Sequence, residues 1–422
     1  MKVNQIYSLL NDINAQLWGK EDLDVHDLSG IISLGNIVMS STGNMDKFFG
    51  KLYDRIGKTV IRTLDLELDF PSLYMDSFEF GAALQKITVN PFDAIENAEW
   101  KVGENNFSPT FADVYKADII VTYFTGIETA KWQRTIPDDL FASAFTSESA
   151  MANFIDAIIK AMTDSVTMAI NNMSRTAVNE FIAEKIKANN GVINLLTGYN
   201  AILGTGNEIT ASVAMTNDGF LRYAANVIRR YIKYLAEPSV LYNTGVSDGN
   251  GGVTPVLRAT ARDNMHVIFN TTFVAAEETY LQADTFHDEL VSLPNYNEVG
   301  YWQANLDSTG KMNEFETNTA ISVIPSSEAG QQSPTAVEAT GVIGLLADRQ
   351  AIFVGINKQR TGSFRNDIDA YTNVSMSFSK QWCVDLSENG IVFIVADAAS
   401  SGEEEGEGEG EGEGGDGGGG AG

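Results

Sequence analysis

Between Ser147 and about Lys187 the chain contains neither proline nor glycine, and its apolar residues recur at three- and four-residue steps. Phe154, Ile155, Ile158, Ile159, Met162, Val166, Ala169, Ile170, Met173, Ala177 and Phe181 fall on one face at a helical period. The spacing predicts a single helix of roughly 35 to 40 residues, about 50 to 60 Å long at 1.5 Å per residue. An ordinary globular helix is several-fold shorter. A helix of this length cannot be wrapped by one small core, so it must act as a spine along which other elements are laid. A coiled coil would need charges beside the apolar seam, and these are sparse here.

What flanks the spine differs on its two sides. Ahead of it, Ile31 to Met39 is apolar, and Phe48, Phe49, Leu52 and Ile56 lie at helical spacing, which predicts a short helix ending at Gly57. From Thr59 the pattern turns to alternation, with Val60, Leu64, Leu66, Leu68 and Phe70, and it returns at Ile119 to Phe124. The intervening residues carry prolines and polar side chains without a clear core face, so they predict an extended two-stranded excursion. Beyond the spine, a Gly- and Asn-rich stretch at 189–207 precedes a second helix from Asn217 to Ala236. Short strands and helices then alternate: His266 to Asn270, a helical Thr272 to Phe286, Ala320 to Ile324, Val342 to Leu346, Ala351 to Val354, Tyr371 to Val384 and Ile391 to Val395. The order predicts an α+β protein without internal repeats.

Charge and composition narrow the classes of function. With 28 basic and 56 acidic residues the formal net charge is -28, which disfavours direct adhesion to nucleic acid. Seven Glu and one Asp lie after Ser400 in a Gly/Glu tail that has no apolar residue larger than alanine. Such a segment cannot pack a core, and it is expected to be disordered. The one cysteine, Cys383, excludes an internal disulfide and is expected on a strand as a small hydrophobe. No apolar run suits a bilayer, and the N-terminus lacks the layout of a secretory signal, so a fibre or adhesin exported by that route is disfavoured.

Particular stretches resemble a known family. Tyr53-Asp-Arg-Ile-Gly-Lys-Thr-Val-Ile-Arg, Trp132-Gln-Arg-Thr-Ile-Pro-Asp-Asp-Leu and Phe154-Ile-Asp-Ala-Ile-Ile resemble major capsid proteins of small podophages of the phi 29 type. So do Met265-His-Val-Ile-Phe-Asn, Leu345-Leu-Ala-Asp-Arg-Gln-Ala-Ile-Phe-Val and Ser375-Met-Ser-Phe-Ser, and the likeness covers about 45–395. It implies the Hong Kong 97-type capsid fold. In that layout 1–62 is an N-terminal arm and short helix, and 63–136 an extended hairpin (the E-loop) with peripheral strands. The peripheral domain with the spine would be 137–199, the axial domain and return strands 200–384, the final strand 385–399, and the acidic tail 400–422. Some relatives carry an immunoglobulin-like domain after the shell fold, whereas here the acidic tail follows.

The resemblance further implies a structural protein of the virion, made in the host bacterial cytoplasm. Its partners would be other copies, in hexamers and pentamers, together with a scaffolding protein, a portal and double-stranded DNA held by enclosure. The hairpin would lie across a neighbouring copy and the arm would reach another. Trp100, Phe107, Phe111 and Tyr115 are then the candidate inter-subunit anchors, because aromatics of coreless segments bury at interfaces. An encapsulin-like nanocompartment shell is the alternative within the same fold.

No enzymatic reading competes well, and no catalytic residue, cofactor or metal is expected. Gly57-Lys58-Thr59 lacks the glycine five residues earlier that a phosphate loop needs, since Leu52 stands there. The alternative of another class is a serine hydrolase using Ser247, since Gly245-Val-Ser-Asp-Gly249 has the form of a nucleophile elbow, yet Asn250-Gly-Gly-Val-Thr-Pro255 cannot begin the helix that must follow. His26, His266 and His287 have no metal-ligand spacing. Asp367 and Asp369 would share a strand face, for which a solvated edge is the plainer reading. Some shells of this fold are cross-linked through Lys–Asn isopeptide bonds, and Lys86, Lys101 and Lys116 sit in the predicted hairpin. Lysines are ordinary on exposed strands, so cross-linking is not expected from them.

Overall fold

The computed structural model describes residues 3–19, 25–62, 69–75, 84–89, 119–124, 127–247, 252–281, 296–302, 320–325 and 333–397. Three helices open the chain: α1 (Val3–Trp18), α2 (Leu28–Met39) and α3 (Thr42–Arg62). The Asp27 side chain caps α2 by accepting from the Gly30 N–H at 2.9 Å. This differs from an arm with one short helix. Leu10 and Ile13 of α1 are buried against the chain's own core with Ile31, Leu34, Phe48, Phe49 and Leu52. Helix α3 also runs through Gly57 to Arg62 instead of stopping, so Val60 is helical and not the start of a strand. A lone glycine costs a helix only about 1 kcal/mol, which the buried face of α3 outweighs.

Strands β1 (Tyr74–Met75), β2 (Leu84–Val89), β3 (Ile119–Phe124) and β4 (Ile127–Pro137) follow, then α4 (Asp138–Ala144) and the spine, α5 (Glu148–Lys187). The spine has 40 residues and starts where its pattern starts, with the Ser147 hydroxyl accepting from the Ala150 N–H at 3.1 Å. Beyond it come β5 (Val192–Asn194), α6 (Leu195–Leu203), α7 (Ala211–Ala214) and α8 (Asp218–Ala236), the last capped by Asn217. The chain then supplies β6 (Val246–Ser247), β7 (Val253–Thr254), β8 (Met265–Asn270), α9 (Thr271–Leu281), β9 (Asn297–Val299), β10 (Ile321–Val323) and β11 (Val337–Ala339). It closes with β12 (Val342–Asp348), β13 (Ile352–Asn366), β14 (Tyr371–Val384) and β15 (Gly390–Ile394).

Two larger sheets organise these strands. One is four-stranded in the order β1-β13-β14-β4, and the other five-stranded in the order β5-β15-β12-β8-β9. The spine joins them. Its first half, through Met151, Ile155, Met162, Val166 and Ile170, packs with α1 to α4 on the far end of the four-stranded sheet. Its second half, through Met173, Ala177, Phe181 and Ile182, packs on one face of the five-stranded sheet, where Ile268, Leu345 and Val392 point. The opposite face carries Val267, Phe269, Ile391 and Phe393 and is covered by α6, α8 and α9. Strands buried on both faces read as continuous apolar runs, and this is why β8 and β12 were legible without alternation.

Two elements depart from the sequence expectation in extent. Strand β13 continues well past Val354, because residues up to Asn366 pair with β14 across a single register shift between Ile356 and Lys358. Helix α6 forms within the stretch read as Gly- and Asn-rich, with Leu195 and Leu196 buried and Asn194 capping its first turn.

Candidate assembly surface

Strands β2 and β3 form a two-stranded ribbon, registered from Leu84 opposite Phe124 to Val89 opposite Ile119. Side chains of a strand alternate between faces, so Gln85, Ile87 and Val89 share one face with their partners Tyr123, Val121 and Ile119. That face is open to solvent: Ile87 is 60% exposed and Tyr123 62%, and Val89, Ile119 and Val121 are exposed as well. The five apolar side chains present on the order of 500 Å², the size at which an exposed patch marks an interaction site.

The other face of the ribbon looks inward and carries polar contacts. Thr88 is buried there and Lys86 mostly so. The Lys86 ammonium is paired with both Asp385 and Glu388, from the connection between β14 and β15. Arg258 joins the same cluster, 3.0 Å from Glu388 and donating to the Thr88 hydroxyl at 3.2 Å. Gln381 donates to the Phe124 carbonyl at 3.4 Å. Burial raises the Glu388 carboxyl above its ordinary range, against the pull of Lys86 and Arg258. Lys86 is thus engaged by two carboxylates of the body.

Behind this cluster the spine ends on a second cation. Lys185 is fully buried, donating to the Asn190 side-chain oxygen at 3.0 Å and to the Tyr242 carbonyl at 2.8 Å. Burial pushes its ammonium down to about 7, with Asp385 acting in the opposite sense. Backbone from the final strand passes close by. A Cβ on Gly390 would lie 2.4 Å from the Phe181 ring and 3.2 Å from Lys185 Cε, so only glycine fits. One concavity borders the ribbon and another the spine. A cleft of about 820 Å³ lies between Lys86 and Phe124 of the ribbon and Leu257, Arg258 and Arg349 of the body. An apolar groove of about 460 Å³ runs between β4 and the first half of α5, lined by Trp132, Leu140, Phe154, Ile158 and Met376.

Of the anchors expected from the sequence, Trp100, Phe107, Phe111 and Tyr115 lie outside the described residues, as do Lys101, Lys116, His287 and the acidic tail. The apolar face found on the ribbon was missed in sequence, although Lys86-Ile-Thr-Val and Ile119 to Tyr123 do alternate. No partner surface for that alternation is visible in one dimension. Ser247 lies in a two-residue strand paired with β7, not at a strand-to-helix elbow, so the hydrolase alternative loses its geometry. Gly57, Lys58 and Thr59 are helical. Asp367 and Asp369 occupy the turn between β13 and β14, where Arg365 binds Asp367 at 2.7 Å and Asn366 donates to Asp369 at 2.9 Å. His26 is exposed, and His266 is buried on β8 with Nδ1 3.1 Å from the Ser72 hydroxyl. Cys383 is buried on β14, and burial raises its thiol well above the ordinary range. Among the described residues no three His, Cys, Asp or Glu side chains gather as a metal site, and no helix is long and apolar enough to cross a membrane.

The model of the Phi29-like phage major capsid protein family matches residues 10–394. The major capsid protein of Streptococcus phage Cp-1 is 30% identical over 157 residues, which are 36% of this chain and 40% of that relative's length. Among solved structures, a chain from the capsid of Staphylococcus phage Andhra superposes with a TM-score of 0.50 at 12% identity, covering 78% of this chain and 84% of that one. A chain from the structure of the head fiber and inner core protein gp22 of native bacteriophage P68 gives 0.50 at 10%, covering 78% and 85%. At these identities the likeness concerns the fold, which is the Hong Kong 97-type capsid fold.

Proposed function

This chain belongs to the Phi29-like phage major capsid protein family, and from that premise we propose that its copies build the closed shell of a tailed-phage head around double-stranded DNA. The observation that carries the reading is the apolar outer face of the β2–β3 ribbon. A two-stranded ribbon is marginally stable alone, and none of its described residues belongs to the three apolar cores formed by the described residues. A surface of that kind needs cover, and a symmetric array of identical subunits supplies it at every position at once.

In this reading 63–136 is the extended hairpin with peripheral strands, and Trp100, Phe107, Phe111 and Tyr115 are its candidate inter-subunit anchors. The remaining divisions at 1–62, 137–199, 200–384, 385–399 and 400–422 follow the Hong Kong 97-type layout. Hexamers and pentamers are the expected rings, a scaffolding protein and portal the expected partners, and the virion the final location after synthesis in host cytoplasm. DNA is held by enclosure, which a net charge of -28 favours over adhesion. The role is structural and not catalytic. Electron microscopy of the expressed chain, with and without a scaffolding protein from the same phage, tests the proposal. Closed shells or tubes are expected, and monodisperse subunits under both conditions would refute it.

A further inference from the structure

The ribbon is attached to the body in an unusual way. Apolar packing normally sets the angle between two elements, yet no described ribbon residue belongs to an apolar core of the described residues, and polar side-chain ties join ribbon to body. The ties are Lys86 to Asp385 and Glu388, Arg258 to Thr88, and Gln381 to the Phe124 carbonyl. Lys86 is the only one of these ribbon groups with a full charge, and it reaches two carboxylates whose side chains are 7% and 5% exposed. Both acids lie within one short connection, held by the Asp385 N–H to the Ala351 carbonyl at 2.8 Å and by the Gly390 N–H to the Tyr242 carbonyl at 3.0 Å. That connection leads directly into the β15 backbone beside the end of the spine.

We propose that Lys86 is a positioning residue: its ion pairs with Asp385 and Glu388 set the direction in which the hairpin leaves the body, and so where the apolar face of the ribbon is presented to a neighbouring copy. The inference rests on the reading of the hairpin as the inter-subunit element. Geometry gives the reason that Lys86 suits this task. It lies between Gln85 and Ile87 on the face opposite the outward row, so the pairs that hold its ammonium also hold Ile87 and its partner Val121 outward. A buried pair that loses one partner leaves an uncompensated charge. Without the Lys86 ammonium, Asp385 and Glu388 would be left to Arg258 and water, and of the ties named above the ribbon would keep the hydrogen bonds from Arg258 and Gln381.

The test is a distance measurement on the full chain, unassembled and dilute. Nitroxide labels are placed at Tyr123→Cys on the ribbon and Asn226→Cys on the exposed face of α8; Cys383, buried with a raised thiol, does not compete. With Lys86 present a single narrow distance is expected. Lys86→Met should lose that peak to a broad distribution, and Lys86→Arg should restore it. Where Lys86→Met fails to fold, Glu388→Gln loosens the same tie from the body side and should also broaden the distribution. A narrow, unshifted distance in a folded Lys86→Met or Glu388→Gln chain would overturn the proposal. Chains that never assemble would refute the shell reading, while the distance would still report on Lys86.

Discussion

Ile87→Thr is the sharpest perturbation of the ribbon face. Threonine keeps the branched Cβ that suits a strand, so the ribbon itself should survive. Complete burial of an isoleucine side chain is worth about 1.5–3 kcal/mol. Ile87 keeps 60% of its surface exposed in the isolated subunit, which leaves about 1–2 kcal/mol to be gained when a neighbour covers it. Threonine forfeits most of that, so each contact should weaken roughly 5- to 30-fold. Shell formation followed by light scattering, with particles verified by electron microscopy, should show the critical concentration rising by a similar factor. The unassembled subunit should unfold in urea with its stability unchanged within about 0.5 kcal/mol, as for other exposed positions. An unchanged critical concentration would refute the reasoning. So would a marked loss of subunit stability, which would mean that Ile87 packs within its own chain. Adding Val121→Thr should weaken assembly further but not additively, because the two side chains are direct cross-strand neighbours.

Three further outcomes follow from buried groups. Gly390→Ala places a methyl 2.4 Å from the Phe181 ring; overpacking of this kind costs about 1–3 kcal/mol, readable as a lower urea midpoint at unchanged slope. The His266 imidazole is depressed to about 4 by burial. As pH falls from 6.5 to about 4 the unfolded chain takes up a proton that the folded chain refuses, so stability should drop by up to about 3 kcal/mol, and His266→Gln should flatten that part of the curve. Lys185, depressed to about 7, works in the alkaline range. Between about 7 and 10.5 the unfolded chain binds the extra proton, so the group adds a few kcal/mol of stability as pH rises, and Lys185→Met should remove that slope from urea titrations.

These predictions draw on features that the sequence showed to very different degrees. Helix α5 was readable almost to the residue, because its 40 residues contain no Pro or Gly, keep an apolar period over about eleven turns, and start just after Ser147. Helix α8 was equally clear, with Asn217 as its cap. Strands β8, β12 and β15 could be placed because each is a short apolar run. The likeness to podophage capsid proteins, carried by local stretches such as Trp132 to Leu140, named the family that the comparison with known proteins then established.

Where contacts are non-local, the chain alone was silent. The polar half of β13, from Lys358 to Asn366, has no apolar alternation to mark it and exists as strand because β14 pairs along it. The N-terminal residues read equally as a helix or an arm, and only the surface supplied by α2, α3 and α4 for Leu10 and Ile13 decides for a packed helix. The assembly surface divides in the same way. A coreless excursion is what composition leads one to expect, since prolines and polar residues leave little to bury, and its middle lies outside the described residues. Which ribbon face points outward depends on Lys86 meeting carboxylates 299 and 302 residues further along the chain. A local pattern is written in neighbouring residues and survives in one dimension; an ion pair across that separation is decided only when the final strand returns beside the spine.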